Sequence, residues 1–197
     1  MKLEVVRGAE KEYRDPATGK AYYSHSQVAR VIWPDAYSHV RGHVLAAAQL
    51  RGKWLHFLFA CLLFRELGIE VPHEVPDEYR ADYEALQRWI SKHQPRPELI
   101  EESGKNDKIG VAGTADFKGW LDDDLWLIDL KSGAEEPGPH AFQVNLYSTF
   151  DEFKDARKLG VLYVRNGDCE LKPVKRNATA IAVAQNAVGV LRGREIL

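Results

Sequence analysis

Asp116, Asp129 and Lys131 have the types and spacing to hold a divalent cation beside a fixed positive charge. Apolar and polar residues alternate loosely from Val111 to Trp120, Asp122, Asp123 and Asp124 interrupt, and Leu125 to Leu130 is an apolar run, the pattern of a β-hairpin. A two-residue loop at Asp122 and Asp123 pairs Leu121 with Asp124, and counting outward sets Asp116 opposite Asp129. Because side chains alternate with period two, Lys131 shares their face, while Trp126, Ile128 and Leu130 point to the other side and can fill a core. Opposed Cβ atoms lie roughly 4.5–5.5 Å apart, so two ionised carboxylates there repel unless something positive lies between them. A charge on Asp129, at the end of an apolar strand, is costly without such a partner.

The elements that must position this group carry further signals. From 36 to 67 the pattern is helical, in two pieces expected to break near Arg51-Gly52, and the second piece is apolar on nearly every side except at His56, Arg65 and Glu66. Gly52, His56, Ala60 and Leu63 form one stripe, narrow at its start, where another element can approach closely. After Lys131 a loop over 132–139 leads into an amphipathic stretch from His140 to about Lys158, with Phe142, Leu146, Phe150 and Phe153 as its apolar stripe. Gln143 and Tyr147 fall on an adjacent stripe, four residues apart.

The run Gly113-Thr114-Ala115-Asp116, then Ile128-Asp129-Leu130-Lys131-Ser132-Gly133, then Gln143-x-x-x-Tyr147, with Arg51-Gly52-Lys53-Trp54-Leu55-His56 upstream, resembles the PD-(D/E)XK nuclease superfamily in its RecB-like, phage-exonuclease (lambda-exonuclease-like) branch. The resemblance covers roughly residues 50 to 165, and Ala115 replaces the proline that gives the pattern its name. It implies an α/β fold with a restriction-endonuclease-like core, a mixed β-sheet flanked by helices with the site at one sheet edge. It also implies metal-dependent hydrolysis of DNA phosphodiester bonds, as an exonuclease of phage-type recombination or repair.

By the same resemblance His56, Asp116, Asp129 and the carbonyl of Leu130 ligate Mg²⁺ or Mn²⁺, the imidazole leaning toward Mn²⁺. Lys131 orients the attacking water and stabilises developing charge, and Gln143 and Tyr147 position Lys131 or the DNA backbone. Glu101 or Glu102, ending a strand beside the site, is an accessory ligand. A structure-specific endonuclease and a catalytically silent DNA-binding module of the same fold stay open as alternatives. The iron–sulfur cluster of some RecB-like enzymes needs four cysteines, and this chain has two, Cys61 and Cys169, so no cluster is expected.

The 197 residues fit one domain, 1–197, with an N-terminal hairpin and helices over 1–49 and a C-terminal strand and helix over 166–197. Hydrophobic residues at 45% and charged residues at 28% are those of an ordinary globular protein and exclude extended disorder. A net charge of −2 excludes a globally basic nucleic-acid binder, so DNA would have to be met by a local basic rim.

The two cysteines read as reduced thiols and the N-terminus has no apolar signal segment. No apolar run nears the ~18 residues of a membrane span, so a cytoplasmic protein without a membrane partner is expected.

Two short strands flank the turn at Asp15 to Gly19, Ser24 or Ser26 caps a short helix through Trp33, and an amphipathic helix runs from Asp77 to His93. Glu98 to Ser103 is a strand entering a Gly104 to Asp107 turn, and Asn166-Gly167 turns a second hairpin. The final helix, about Ala178 to Leu191, suits packing or a homo-oligomer face. Apart from His56, the histidines match no ligand pattern.

Overall fold

The structure is a computed structural model that describes residues 3–7, 11–36, 38 and 40–195. His39 lies outside the described residues.

Eight strands form one mixed sheet: β1 (Glu4–Arg7), β2 (Lys11–Arg14), β3 (Ala21–Ser24), β4 (Arg96–Asn106), β5 (Val111–Leu121), β6 (Asp124–Lys131), β7 (Lys158–Arg165) and β8 (Asp168–Val174). Their order is β1-β2-β3-β5-β6-β7-β8, with β4 antiparallel to β5. The β3–β5 and β6–β7 pairs are parallel and the other pairs antiparallel. The expected α/β architecture is therefore present.

Helices cover both faces. α1 (His25–Ile32), α4 (Pro137–Tyr147) and α5 (Thr179–Glu195) bury Val28, Phe142, Leu146 and Ala184 against Leu127, Leu159 and Val161 of the sheet. α2 (Gly42–Glu66) and α3 (Arg80–His93) bury Leu55, Leu58, Leu62 and Leu86 against Phe117, Ile128, Leu130 and Leu162. Ile128 and Leu130 thus fill a core, as the alternation along β6 predicts, and Trp126 packs beside them. Of the two serines proposed as a cap for α1, Ser24 does so, in a reciprocal box with Gln27. The inner side of α5 is core, with Ala180, Ala184, Ala187 and Val188 buried.

Several boundaries differ from the sequence reading. α2 is a single helix that runs through Gly52 without a break, because its second half is anchored by the buried Leu55, Leu58, Phe59, Leu62 and Leu63 and one glycine costs only about 1 kcal/mol. The N-terminal segment contains three strands; β1 extends the expected β2–β3 hairpin. β4 continues to Asn106, so the turn falls later than Gly104 to Asp107, with Gly110 at φ 83°.

The 132–139 loop is shorter than expected, since Pro137 begins α4, where the missing N–H carries no penalty. α4 ends at Tyr147, and Phe150 and Phe153 reach the core from the turns that follow it. Asp77–Tyr79 is a single 3-10 turn ahead of α3. The turns at Asp122-Asp123 and Asn166-Gly167 lie where the register predicts, Asn166 and Gly167 both adopting positive φ. Among the described residues no helix is long and apolar enough to cross a membrane.

Candidate functional site

The β5–β6 ladder runs from Leu121↔Asp124 to Phe117↔Ile128, the register that the two-residue loop dictates. One step further, at Asp116 and Asp129, side chains take over. Asp116 Oδ2 accepts a hydrogen bond from the backbone N–H of Leu130 at 2.6 Å, so the carboxylate occupies the fork between the strands. Its other oxygen lies 2.8 Å from Nδ1 of His56 on α2. Asp129 and Lys131 follow the alternation of β6 and point to the opposite side, toward α4. Asp116 and Asp129 thus adjoin in sequence register but are engaged from the two faces of the sheet.

On the α4 side, the Lys131 ammonium lies 2.6 Å from Asp129 Oδ2 and donates to Gln143 Oε1 at 2.9 Å. The amide nitrogen of Gln143 donates to Asp129 Oδ1 at 2.7 Å and to the Tyr147 hydroxyl at 3.2 Å. One amide therefore ties cation to anion, and the i, i+4 spacing of Gln143 and Tyr147 is what lets the phenol brace it. The Tyr147 ring fits only because residue 113 is glycine, since a Cβ there would lie 2.4 Å from it. Asp129 Oδ2 is buried and has only the ion-pair contact, without an aligned hydrogen bond.

On the α2 side, Glu101 approaches His56, Oε1 to Nδ1 being 3.8 Å. Ile100 pairs with Phe117 and Glu102 with Ala115, but Glu101 between them has φ 49°, a left-handed conformation that costs a non-glycine residue about 1–3 kcal/mol. Of the two glutamates left open by the sequence, Glu101 is the one aimed at the fork. Among the described residues His56, Glu101 and Asp116 are the acidic and histidine group whose ligand atoms all lie within 4.8 Å of one another.

The electrostatics are those of crowded acids. Burial alone would lower the pKa of His56, but the Asp116 carboxylate outweighs it and pushes the imidazole up to about 10. Burial opposes ionisation of Asp116, yet His56 and the Leu130 N–H hold it below the usual carboxylate range. Burial and the neighbouring Asp116 raise Asp129 despite Lys131. Burial and Asp116 raise Glu101. The His56 imidazolium and Lys131 thus supply the positive charge that three carboxylates require. Two carboxylates and an imidazole are a donor set suited to Mg²⁺ or Mn²⁺, and the poorly satisfied Asp129 Oδ2 adds a further oxygen nearby, so the residues fit a divalent ion.

Of the residues singled out from sequence, His56 and Asp116 are in direct contact, and Asp129, Lys131, Gln143 and Tyr147 form a second linked set. Leu130 joins the first pair through its N–H. Burial holds His25 and His140 neutral near Lys131, with pKa values of about 3 and about 4, His25 against the rings of Phe142 and Tyr147 and His140 bonded to the Tyr163 hydroxyl at 2.9 Å. Both cysteines are free thiols.

No protein-family model and no curated protein matches the sequence. Among solved structures the chain is similar to the alkaline exonuclease LHK-Exo from Laribacter hongkongensis, with a TM-score of 0.49 and 12% identity over 88% of this chain and 87% of that one. A structure of LHK-Exo in complex with dAMP gives 0.49 and 13% over the same shares. The structure of SSO0001 gives 0.44 and 15% over 85% of this chain and 75% of that one.

Proposed function

We propose that the protein is a metal-dependent deoxyribonuclease that hydrolyses DNA phosphodiester bonds. The observation that carries this reading is the convergence of His56, Glu101 and Asp116 within 4.8 Å at a strand fork whose next residues are Asp129 and Lys131. Mg²⁺ or Mn²⁺ held by His56, Glu101 and Asp116, with Asp129 beside them, supplies charge neutralisation at the scissile phosphate and activation of a water near neutral pH.

The chain's own residues do the rest. Lys131, fixed by Asp129 and Gln143, presents an ammonium to a phosphoryl oxygen as negative charge grows on it. Gln143, braced by Tyr147, keeps that ammonium from swinging away. The PD-(D/E)XK pattern of these residues supports the same reading, and its phage-exonuclease branch supports attack from DNA ends with little sequence preference.

The test is to incubate the protein with linear and closed-circular DNA in Mg²⁺, Mn²⁺ or EDTA. Linear DNA is expected to vanish progressively with either metal while closed circles and EDTA samples persist. Discrete fragments from a closed circle would replace the exonuclease reading with an endonuclease one, and intact DNA throughout would sink both.

A further inference from the structure

The parallel β6–β7 ladder stops at the pair Lys131↔Tyr163, one step short of Ser132 and Val164. At that step stands Arg51 of α2. Its Nε donates to the carbonyl of Ser132 at 3.2 Å, and its Nη2 lies 3.4 Å from the carbonyl of Val164. The guanidinium thus joins the ends of the two strands where the backbone ladder no longer does.

The same Nη2 donates to Asp82 Oδ2 at 2.7 Å, and Asp82 Oδ1 accepts the N–H of Gly167 in the β7–β8 turn at 2.9 Å. Asp82 is 4% exposed, so its carboxylate is buried against these two donors. The planar fork meets the Ser132 carbonyl through Nε and the carboxylate and second carbonyl through Nη2, a spread that a single ammonium nitrogen does not reproduce.

We propose that Arg51 is a positioning residue for Lys131. By holding the peptide that follows Lys131, and by standing five residues before His56 on the same helix, it sets the distance between the ammonium and the metal-ligand cluster. The hydrogen bonds of Arg51 run to the Ser132 and Val164 carbonyls and to Asp82, so its effect passes through the backbone that follows β6. This inference rests on the nuclease reading above.

The test compares wild type, Arg51→Lys, Lys131→Ala and the double variant on linear duplex DNA at saturating Mn²⁺, with Mn²⁺ binding followed by calorimetry and folding by circular dichroism. Arg51→Lys keeps a cation for Asp82 but cannot form the fork. It is expected to stay folded, to bind Mn²⁺ within about twofold of wild type with KM little changed, and to lose about 10–100-fold in kcat, the scale of an ångström-level misplacement. The double variant should be no slower than Lys131→Ala alone, because the two residues act through one ammonium.

Wild-type turnover in Arg51→Lys, or losses that multiply in the double variant, would overturn the inference while leaving the nuclease reading standing. Full activity in Lys131→Ala would overturn both. If Arg51→Lys fails to fold, Asp82→Asn serves instead. It retains an acceptor for Arg51 and should show a smaller kcat loss with the same non-additivity, and an unchanged kcat there counts against the proposal equally.

Discussion

Lys131 is the residue whose role separates most cleanly from its neighbours, because a cation does not ligate a metal and its partners Asp129 and Gln143 fix where it points. Lys131→Ala should fold, bind Mn²⁺ and hold DNA nearly as wild type does, yet turn over about 10²–10³-fold more slowly, the usual effect of removing one preorganised donor. Single-turnover rates beside DNA-binding isotherms check this. His56 makes a second prediction. Its pKa of about 10 means that the metal-free imidazole is protonated at neutral pH, so a metal must displace that proton. Mn²⁺ affinity should therefore rise with pH between 6 and 8, approaching tenfold per unit, with close to one proton released per ion. Calorimetry in buffers of different ionisation enthalpy measures the release, and a pH-independent affinity would mean that His56 is not a ligand.

At the scale of elements, two glycines sort the packing from the helix propensity. A Cβ at Gly52 would meet the Ser132 hydroxyl at 3.5 Å, an ordinary contact, so Gly52→Ala should raise stability by about 0.5–1 kcal/mol through the helix interior. Gly113→Ala should be severely destabilising, since its Cβ would lie within the Tyr147 ring's space at 2.4 Å. Thermal melts of the two variants should move in opposite directions. The same elements mark what could be read before the structure. The hairpin register was legible because a two-residue loop admits one pairing, but the shared face it implied for Asp116 and Asp129 was not, since Asp116 turns to His56 of α2 while Asp129 meets Gln143 of α4. Glu101 was not, because nothing in Glu101-Glu102 announces a left-handed residue inside a strand. The continuity of α2 was hidden by Gly52, whose local preference is outweighed by the core around Leu55 to Leu63.

Across the whole molecule, the N-terminal strands are tied to the end of β4 and the β4–β5 turn by charge. Lys105 of β4 holds the enclosed Asp15 at 2.7 Å, and Asp107 accepts the Tyr22 hydroxyl at 2.5 Å and Lys20 at 2.9 Å. The hydrogen bond from Lys105 keeps Asp15 below its ordinary pKa, and Tyr22 with Lys20 lowers Asp107 to about 2. Carboxylates with depressed folded pKa values stabilise the fold above their unfolded value, near 4, and lose that contribution as pH falls through the folded one. Stability should therefore drop between about pH 4 and pH 2, and Asp15→Asn should flatten that slope, as urea titrations across the range would show. The site itself lies where β5 and β6 part, between the two helical layers, so that α2 brings the imidazole and α4 the amide to one fork.

The rate of nucleotide release from linear duplex DNA by wild type and Asp116→Asn, followed as Mn²⁺ is titrated in, tests the proposed function most directly. Wild type should be inactive without metal and reach saturation as Mn²⁺ rises, whereas Asp116→Asn, which loses the carboxylate joining His56 to the Leu130 amide, should stay near background at every concentration. Metal-independent release by wild type, or undiminished release by Asp116→Asn, would contradict it.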